Sequence, residues 1–396
     1  MRTAIPKGFE KESREMKSLN NKILAFLRKR YNVEKYPNVP KKKSLEGEAC
    51  VEAFPMQGIL KYHGMADWHY RTAFFPSVSM CNDAAKTVTY VRFDQKLDKD
   101  HAIVNGKKME GHELDRIKQT LDFIRKITGA KTKAFVYSKN ILKAQKTGKG
   151  LGTSASASAA LALATIEAAL GDDYSSNSRF VTTCARFLSG SGCRSAAGGV
   201  ALWLSYPGID HEDSFAIRLD SKQQFKDVDL ITVPVDSRIG LKTEMAHKDA
   251  PKSPFFKTWM SLREKHIWKI FDAVSKKNWK KLGELAELDT ILLHGTTMSG
   301  GDRKLIGWEP ETIKLMRAAN DLRESSVPVY YSIDTGPTTV LITQEKYSRE
   351  VVSHIESLGF TDIVTGKIAG PAGTISKLQG EKEFVISLDD VSGQLK

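Results

Sequence analysis

Apolar and polar positions along this 396-residue chain follow two periods, which predict strands and helices in mixed order. Runs rich in β-branched and aromatic residues predict strands at 48–61, 87–93, 134–138, 198–204, 215–219, 230–235, 327–333 and 339–343. Apolar residues at helical spacing predict helices over 112–127, within 266–291 and over 345–358, and an alanine-rich run ending at Leu170 predicts another. Because the elements lack the regular rhythm of a doubly wound sheet, the pattern favours an α+β fold.

The first 47 residues differ from the rest of the chain. They are strongly basic and helix-like, and the pattern breaks at Pro37, Pro40 and Gly47, so we interpret residues 1–47 as an N-terminal extension. The remaining length exceeds what one hydrophobic core usually spans, so we expect two lobes.

The charge of the chain suggests an anionic partner. Lysine and arginine number 60 against 47 acidic residues, which gives a formal charge of +13. The lysine runs do not interleave with aromatic residues as in a groove for single-stranded nucleic acid, so a small anionic substrate is the favoured explanation. A basic nucleic-acid-binding protein is the alternative from a different class, and its binding would depend steeply on salt.

The apolar runs and the cysteines indicate the location of the protein and the kind of site it can contain. We expect a cytoplasmic protein without a membrane partner, because no apolar run has the length of a membrane span and residues 1–43 lack the apolar core of a signal peptide. The four cysteines form no CxxC pair, which favours buried free thiols over a disulfide framework or a metal site.

A glycine-rich loop over 148–154 (GKGLGTS) precedes the alanine-rich helix. Glycines such as Gly152 let the backbone approach an anion, and the first amides of the following helix point at it. The hydroxyl groups of Thr153 and Ser154 add donors. The loop therefore predicts phosphate binding, although no lysine completes a Walker motif. A flexible turn before a packed helix is the alternative.

Three further segments place reactive side chains near glycines or at strand ends. Arg194, in SGSGCRSAAGG, offers a planar donor fork for a carboxylate or phosphate, or else a surface ion pair. Asp334 follows an apolar strand and precedes a Gly-Pro turn, where Asp is also an ordinary turn former. Lys61 and Tyr62 end another strand. His294 stands alone, and we interpret it as a structural histidine.

Taken together, these segments resemble one family in order and spacing. GLGTSASASAAL is similar to the nucleotide loop of the GHMP kinase superfamily. KYHG, SGSGCRSAAGG, IDTGPT and NGKKMEGHELDRIKQTL resemble segments of its diphosphomevalonate decarboxylase family. The resemblance implies a ribosomal S5 domain 2-like N-terminal lobe over 48–235, a ferredoxin-like C-terminal lobe over 236–396 and a homodimer. The substrate, a small phosphorylated mevalonate, would lie between the lobes.

The resemblance also implies roles for individual residues. Asp334 would be the essential acidic residue, Arg194 would hold the substrate carboxylate, and Lys61 would lie beside Asp334 and the 3-oxygen. The residues implied at the 5-phosphate are Tyr62, Arg116 and Ser191. The residues implied at the phosphate-facing loop are Gly152, Thr153 and Ser154.

Departures from the family pattern bear on the use of ATP. Met65 stands where ATP-using members have a second lysine, and His63 replaces a tryptophan. The stretch 74–81 is apolar where those members are rich in Asn and Ser. The pattern thus resembles the archaeal branch that converts mevalonate 3,5-bisphosphate to isopentenyl phosphate, CO2 and phosphate, with no cofactor or metal. The alternatives are an ATP- and Mg-dependent decarboxylase of diphosphomevalonate or phosphomevalonate, and a mevalonate 3-kinase.

Overall fold

The computed structural model describes residues 1–143, 152–221, 224–237, 243–302 and 304–393. The strands are β1 Gly47–Ala53, β2 Met56–Leu60, β3 Met65–Asp67, β4 Thr72–Ala73, β5 Ser77–Cys81, β6 Ala85–Asp94, β7 His101–Val104, β8 Lys107–Lys108, β9 Lys133–Leu142, β10 Val200–Trp203, β11 Ala216–Arg218, β12 Val228–Val233, β13 Val329–Ile333, β14 Thr339–Gln344, β15 Val364–Lys367 and β16 Gly373–Ile375. The helices are α1 Glu10–Arg30, α2 Gly111–Thr128, α3 Thr153–Leu170, α4 Asp172–Ser175, α5 Ser178–Cys184, α6 Gly192–Ala197, α7 Thr243–Asp249, α8 Phe256–Ser261, α9 Arg263–Ser275, α10 Trp279–Gly300, α11 Pro310–Glu324, α12 Glu345–Ser357, α13 Lys377–Phe384 and α14 Leu388–Gly393.

Two sheets form the N-terminal half. One has the order β16-β1-β6-β9-β7-β8 and the other β11-β10-β5-β2. Helix α3 packs on β1, β6 and α6, and its alanines allow this close approach because they carry no bulky side chain. Among the described residues α3 is the one helix long and apolar enough to cross a membrane, but 72% of that window is buried, as in a core helix.

A third sheet, β13-β14-β12-β15, forms the C-terminal lobe together with α10, α11 and α12. Its all-antiparallel pairing and helical cover agree with the α+β fold class. The lobe division expected from the sequence differs from this topology at two places. Strand β12 joins the third sheet although it precedes residue 235, and β16 returns to pair with β1 although it lies far beyond it.

The basic N-terminal segment is packed against the body of the protein rather than extending from it. Met16, Leu19, Ile23 and Leu27 lie on one face of α1 at helical spacing, and all four are buried. They belong to the same apolar cluster as the rings of the N-terminal lobe and α8. The interpretation of residues 1–47 as an appendage therefore needs correction, because α1 contributes directly to this core.

Candidate active site

A cleft of about 1320 Å³ lies where the end of β2, the first turns of α3 and α6, helix α7 and the loop after β13 meet. All nine site residues singled out in the sequence line it. They are Lys61, Tyr62, Arg116, Gly152, Thr153, Ser154, Ser191, Arg194 and Asp334. Folding therefore gathers into one cavity side chains that come from five separate parts of the chain, whereas their chemical roles stay predictions.

An ion pair between Lys61 and Asp334 forms the centre of the cleft. The Lys61 ammonium lies 2.7 Å from Oδ1 of Asp334 and also donates to the Ser332 hydroxyl at 2.8 Å and the Gly58 carbonyl at 2.9 Å. Burial lowers the pKa of Lys61, and the Asp334 carboxylate opposes that shift. A Cβ atom at Gly58 would lie 2.9 Å from Oδ1 of Asp334, so a glycine is needed where β2 passes this carboxylate.

The backbone of Lys61 is held from behind by a buried pair that the sequence analysis did not identify. Asp289 of α10 accepts a hydrogen bond from the Lys61 N–H at 2.5 Å, and Arg263 of α9 donates to the Lys61 carbonyl at 3.1 Å. Arg263 and Asp289 pair with each other at 3.4 Å, and both side chains are fully buried. Their charges therefore compensate each other inside the core.

Arg194 brings an unsatisfied cation to the cleft. It is 2% exposed, and its Nε and Nη1 atoms have no hydrogen-bond partner among the described residues. Its guanidinium lies 5.2 Å from the centre of the Tyr62 ring. The small residues around it serve packing, since a Cβ at Gly192 would lie 2.2 Å from the Ala185 carbonyl oxygen. A buried guanidinium with free donors favours an anionic ligand.

One end of the cleft is basic. Arg116 donates to the Leu188 carbonyl at 3.0 Å, and its Nε has no partner among the described residues. Arg71, which carries no motif in the sequence, lies close enough to Arg116 for the two charges to repel. Burial and this repulsion lower the pKa of Arg71. Tyr62 and Ser191 line the same cleft. Such an arrangement suits a phosphate, whose charge offsets the repulsion.

The start of α3 also lines the cleft. Gly152 has φ +70, and a Cβ there would lie 2.9 Å from the Met56 carbonyl oxygen, so this position requires glycine. The first amides of an α-helix have no carbonyl partner within the helix, which suits an anion next to Thr153 and Ser154. The preceding part of the predicted loop, residues 148–151, lies outside the described residues. Asn105, Lys139 and Asn140 also line the cleft.

His294 and the four cysteines, which the sequence predicted to be structural, are buried. The His294 ring is hydrogen-bonded to the backbone oxygen of Asp334 at 2.9 Å, and burial lowers the pKa of His294 to about 3. All four cysteines are free and buried, as predicted. Burial raises the pKa of Cys193, next to Arg194, to about 12. Among the described residues no group of three or more His, Cys, Asp or Glu could hold a metal ion.

Comparisons with known proteins agree with this fold. A family model described as the diphosphomevalonate decarboxylase-like N-terminal domain matches residues 53–216. Phosphomevalonate decarboxylase of Haloferax volcanii is 32% identical over 83% of this chain and 98% of its own length. Mevalonate 3,5-bisphosphate decarboxylase of Thermoplasma volcanium is 28% identical over 74% of this chain and 76% of its own length. Mevalonate diphosphate decarboxylase of Staphylococcus aureus superposes with a TM-score of 0.77 at 26% identity, covering 83% of this chain and 98% of its own.

The fold is that of the GHMP-type decarboxylases. The chain belongs to the diphosphomevalonate decarboxylase family. It is a carboxy-lyase, as its relatives are.

Proposed function

We propose that this carboxy-lyase acts on mevalonate 3,5-bisphosphate and releases isopentenyl phosphate, CO2 and inorganic phosphate without ATP. The relatives are decarboxylases of phosphorylated mevalonates, and the Thermoplasma volcanium enzyme is named for this substrate. The observation that carries the proposal is the buried Arg194, whose unsatisfied donors lie in the same cleft as the Lys61–Asp334 pair.

The reaction needs no deprotonation of a 3-hydroxyl group and no added co-reactant. The bond from C3 to the phosphate oxygen breaks, and its electron pair leaves with the phosphate. The electron pair of the C1–C2 bond then forms the C2–C3 double bond as CO2 departs. Positive charge develops at C3, while negative charge develops on the leaving phosphate. The enzyme must therefore stabilise opposite charges on neighbouring atoms.

The cleft offers a group for each of these charges. Arg194 would fix the substrate carboxylate so that the breaking C–C bond aligns with the empty orbital at C3. The ammonium of Lys61 would stabilise the departing phosphate, assisted by Ser154 and the free amides of α3. Asp334 would favour the cationic carbon and hold Lys61 in place, which its 2.7 Å ion pair with that lysine supports.

Substituted positions beside the cleft support independence from ATP. Position 65, where ATP-using members carry a lysine, is a buried methionine and brings no cation to the cleft. His63, in place of tryptophan, is buried and contacts the Thr297 hydroxyl at 3.3 Å. Phe74 and Phe75 pack in the core against Phe256.

A second candidate is ATP-dependent decarboxylation of phosphomevalonate, with Mg2+ bound to the nucleotide. It is favoured by the size of the cleft, about 1320 Å³, and by its lining with Asn105, Lys139 and Asn140 in addition to the predicted site residues. The name of the 32% identical Haloferax relative points the same way. In that reaction Asp334 would take or orient the proton of the 3-hydroxyl.

Release of CO2 distinguishes the two. Purified enzyme is incubated with mevalonate 3,5-bisphosphate, 5-phosphomevalonate and 5-diphosphomevalonate, each with and without ATP and Mg2+. Release of CO2 from mevalonate 3,5-bisphosphate in the absence of ATP supports the proposal. If CO2 appears only from a 3-hydroxy substrate with ATP, the second candidate is correct. Consumption of ATP without CO2 would indicate a 3-kinase instead.

A further inference from the structure

Helix α7 places His247 at the basic end of the cleft. The His247 ring stacks on the Tyr62 ring, with centroids 5.3 Å apart and planes inclined by 19°. On the same helix, the Lys248 ammonium lies 5.4 Å from the centre of the Trp68 ring. Both contacts join α7 to the segment that follows Lys61. His247 is thereby held as a wall of the cleft.

The hydrogen bonding of His247 fixes its tautomer. The backbone N–H of Gly64 donates to Nδ1 of His247 at 3.0 Å, so Nδ1 must be unprotonated. Burial, assisted by the nearby charge of Arg71, lowers the pKa of His247 to about 4, whereas Glu244 opposes this shift. The ring is therefore neutral at pH 7 and carries its hydrogen on Nε2. The one remaining donor of the ring is therefore Nε2–H.

The surroundings of this donor are rich in cations. Arg71 and Arg116 act on each other and on Glu244, whose own side chain is paired with Lys248 at 2.9 Å. The Nε atoms of both arginines are buried and have no partner among the described residues. Arg71 lines the cleft and has an uncommon left-handed backbone, with φ 47.

We propose that His247, together with Arg71, binds the 5-phosphate of the substrate, with Nε2–H of His247 donating to a phosphate oxygen. The inference rests on the proposed function only for the presence of a 5-phosphate, which both candidate substrates carry. It adds two residues to Tyr62, Arg116 and Ser191. His247 is a binding residue and takes no part in the bond-breaking steps.

Two substitutions separate the two nitrogens of His247. In His247→Asn the amide oxygen can still accept from Gly64, but nothing reaches the position of Nε2. In His247→Gln an amide N–H can reach that position. Calorimetric titration measures the Kd of 5-phosphomevalonate and of mevalonate for each protein. His247→Asn is expected to weaken binding of 5-phosphomevalonate by about 10- to 100-fold and to leave mevalonate unchanged, because a hydrogen bond to a charged group is lost.

His247→Gln is expected to recover most of this loss, and Arg71→Met should weaken 5-phosphomevalonate selectively as well. In turnover the loss should appear in KM, with kcat nearly unchanged. Unchanged binding of 5-phosphomevalonate by His247→Asn, or equal weakening of both ligands, overturns the inference. Failure of the proposed function gives a different result. Wild-type enzyme would then bind 5-phosphomevalonate but release no CO2 from mevalonate 3,5-bisphosphate.

Discussion

The peptide N–H of Lys61 donates to Asp289, a carboxylate of α10 that lies wholly inside the core. Asp289 also accepts from the Trp259 indole at 2.9 Å, and Arg263 covers the Lys61 carbonyl. Both polar groups of the Lys61 backbone are therefore fixed by side chains that never reach the cleft. The ammonium position beside Asp334 is thus set by the core as well as by its ion pair.

Asp289→Asn should strongly destabilise the protein. The substitution leaves the Arg263 charge buried without compensation, which typically costs about 3–5 kcal/mol of unfolding free energy. Urea unfolding measures this loss. Asp272→Asn, on the exposed pair with Lys276 at 2.8 Å, serves as the matched control and should change stability by less than about 1 kcal/mol. Similar losses in both variants would contradict the role given to the buried pair.

Asp334→Asn should abolish turnover while the protein stays folded. The Lys61 ammonium keeps two neutral acceptors, Gly58 and Ser332, so we expect the protein to fold, with reduced stability because a buried lysine loses its charge partner. Charge stabilisation at the reacting carbon disappears, and we expect kcat to fall by at least about 100-fold. Rates of CO2 release, thermal unfolding and substrate Kd are compared with wild type. Turnover near the wild-type rate would show that Asp334 is not essential.

Leu19→Ala on α1 tests whether the N-terminal segment belongs to the core. The Leu19 side chain is 1% exposed, and truncation of a buried leucine costs about 2–5 kcal/mol. Lys17→Ala on the exposed side of the same helix is the control and should be nearly neutral. Chemical denaturation gives both values. A neutral Leu19→Ala variant would mean that α1 is dispensable to the fold.

Acid should destabilise the enzyme below the ordinary pKa of histidine. Burial lowers the pKa of His294 to about 3 and that of His247 to about 4, from 6.5. As the pH falls below about 6.5, these histidines bind protons in the unfolded chain but stay neutral in the folded protein. The free energy of unfolding is therefore highest above this pH and decreases towards pH 4. The expected slope is up to about 1.4 kcal/mol per pH unit for each such histidine.

Urea midpoints between pH 8 and pH 4 provide the measurement. His294→Gln should reduce the acid slope by the share of one histidine, whatever its effect at pH 7. A midpoint that is flat from pH 6.5 to pH 4 in the wild type would mean that these rings titrate normally in the folded state.

The periodicity of the sequence predicted many elements well. Strand β6 contains the predicted run 87–93, and α2 contains the predicted helix 112–127. Site residues next to glycine turns or strand ends were recognisable because such positions bring side chains and free amides to an edge of the fold. Asp289 gave no such signal. It occupies one position of a long helix, and its partner Arg263 is identified only when α9 and α10 pack.

Arg71 and His247 were missed for a related reason. Neither lies in a motif, and their proximity depends on how α7 folds back over Tyr62. The N-terminal segment is a different case, because the sequence did contain a signal. Its apolar residues recur at intervals of three and four from Met16 to Leu27. This apolar stripe predicts a packed amphipathic helix, although basic residues dominate the composition of the segment.

Strand β16 has a consequence for how the protein is made. It pairs with β1, where Ile375 lies opposite Cys50. It therefore covers the outer edge of β1 in the sheet on which α3 packs. Until residues 373–375 have left the ribosome, the edge of β1 stays open to other strands. The first lobe to be synthesised is thus among the last to be completed. We expect nascent chains stalled before this strand to depend on chaperones far more than the released enzyme.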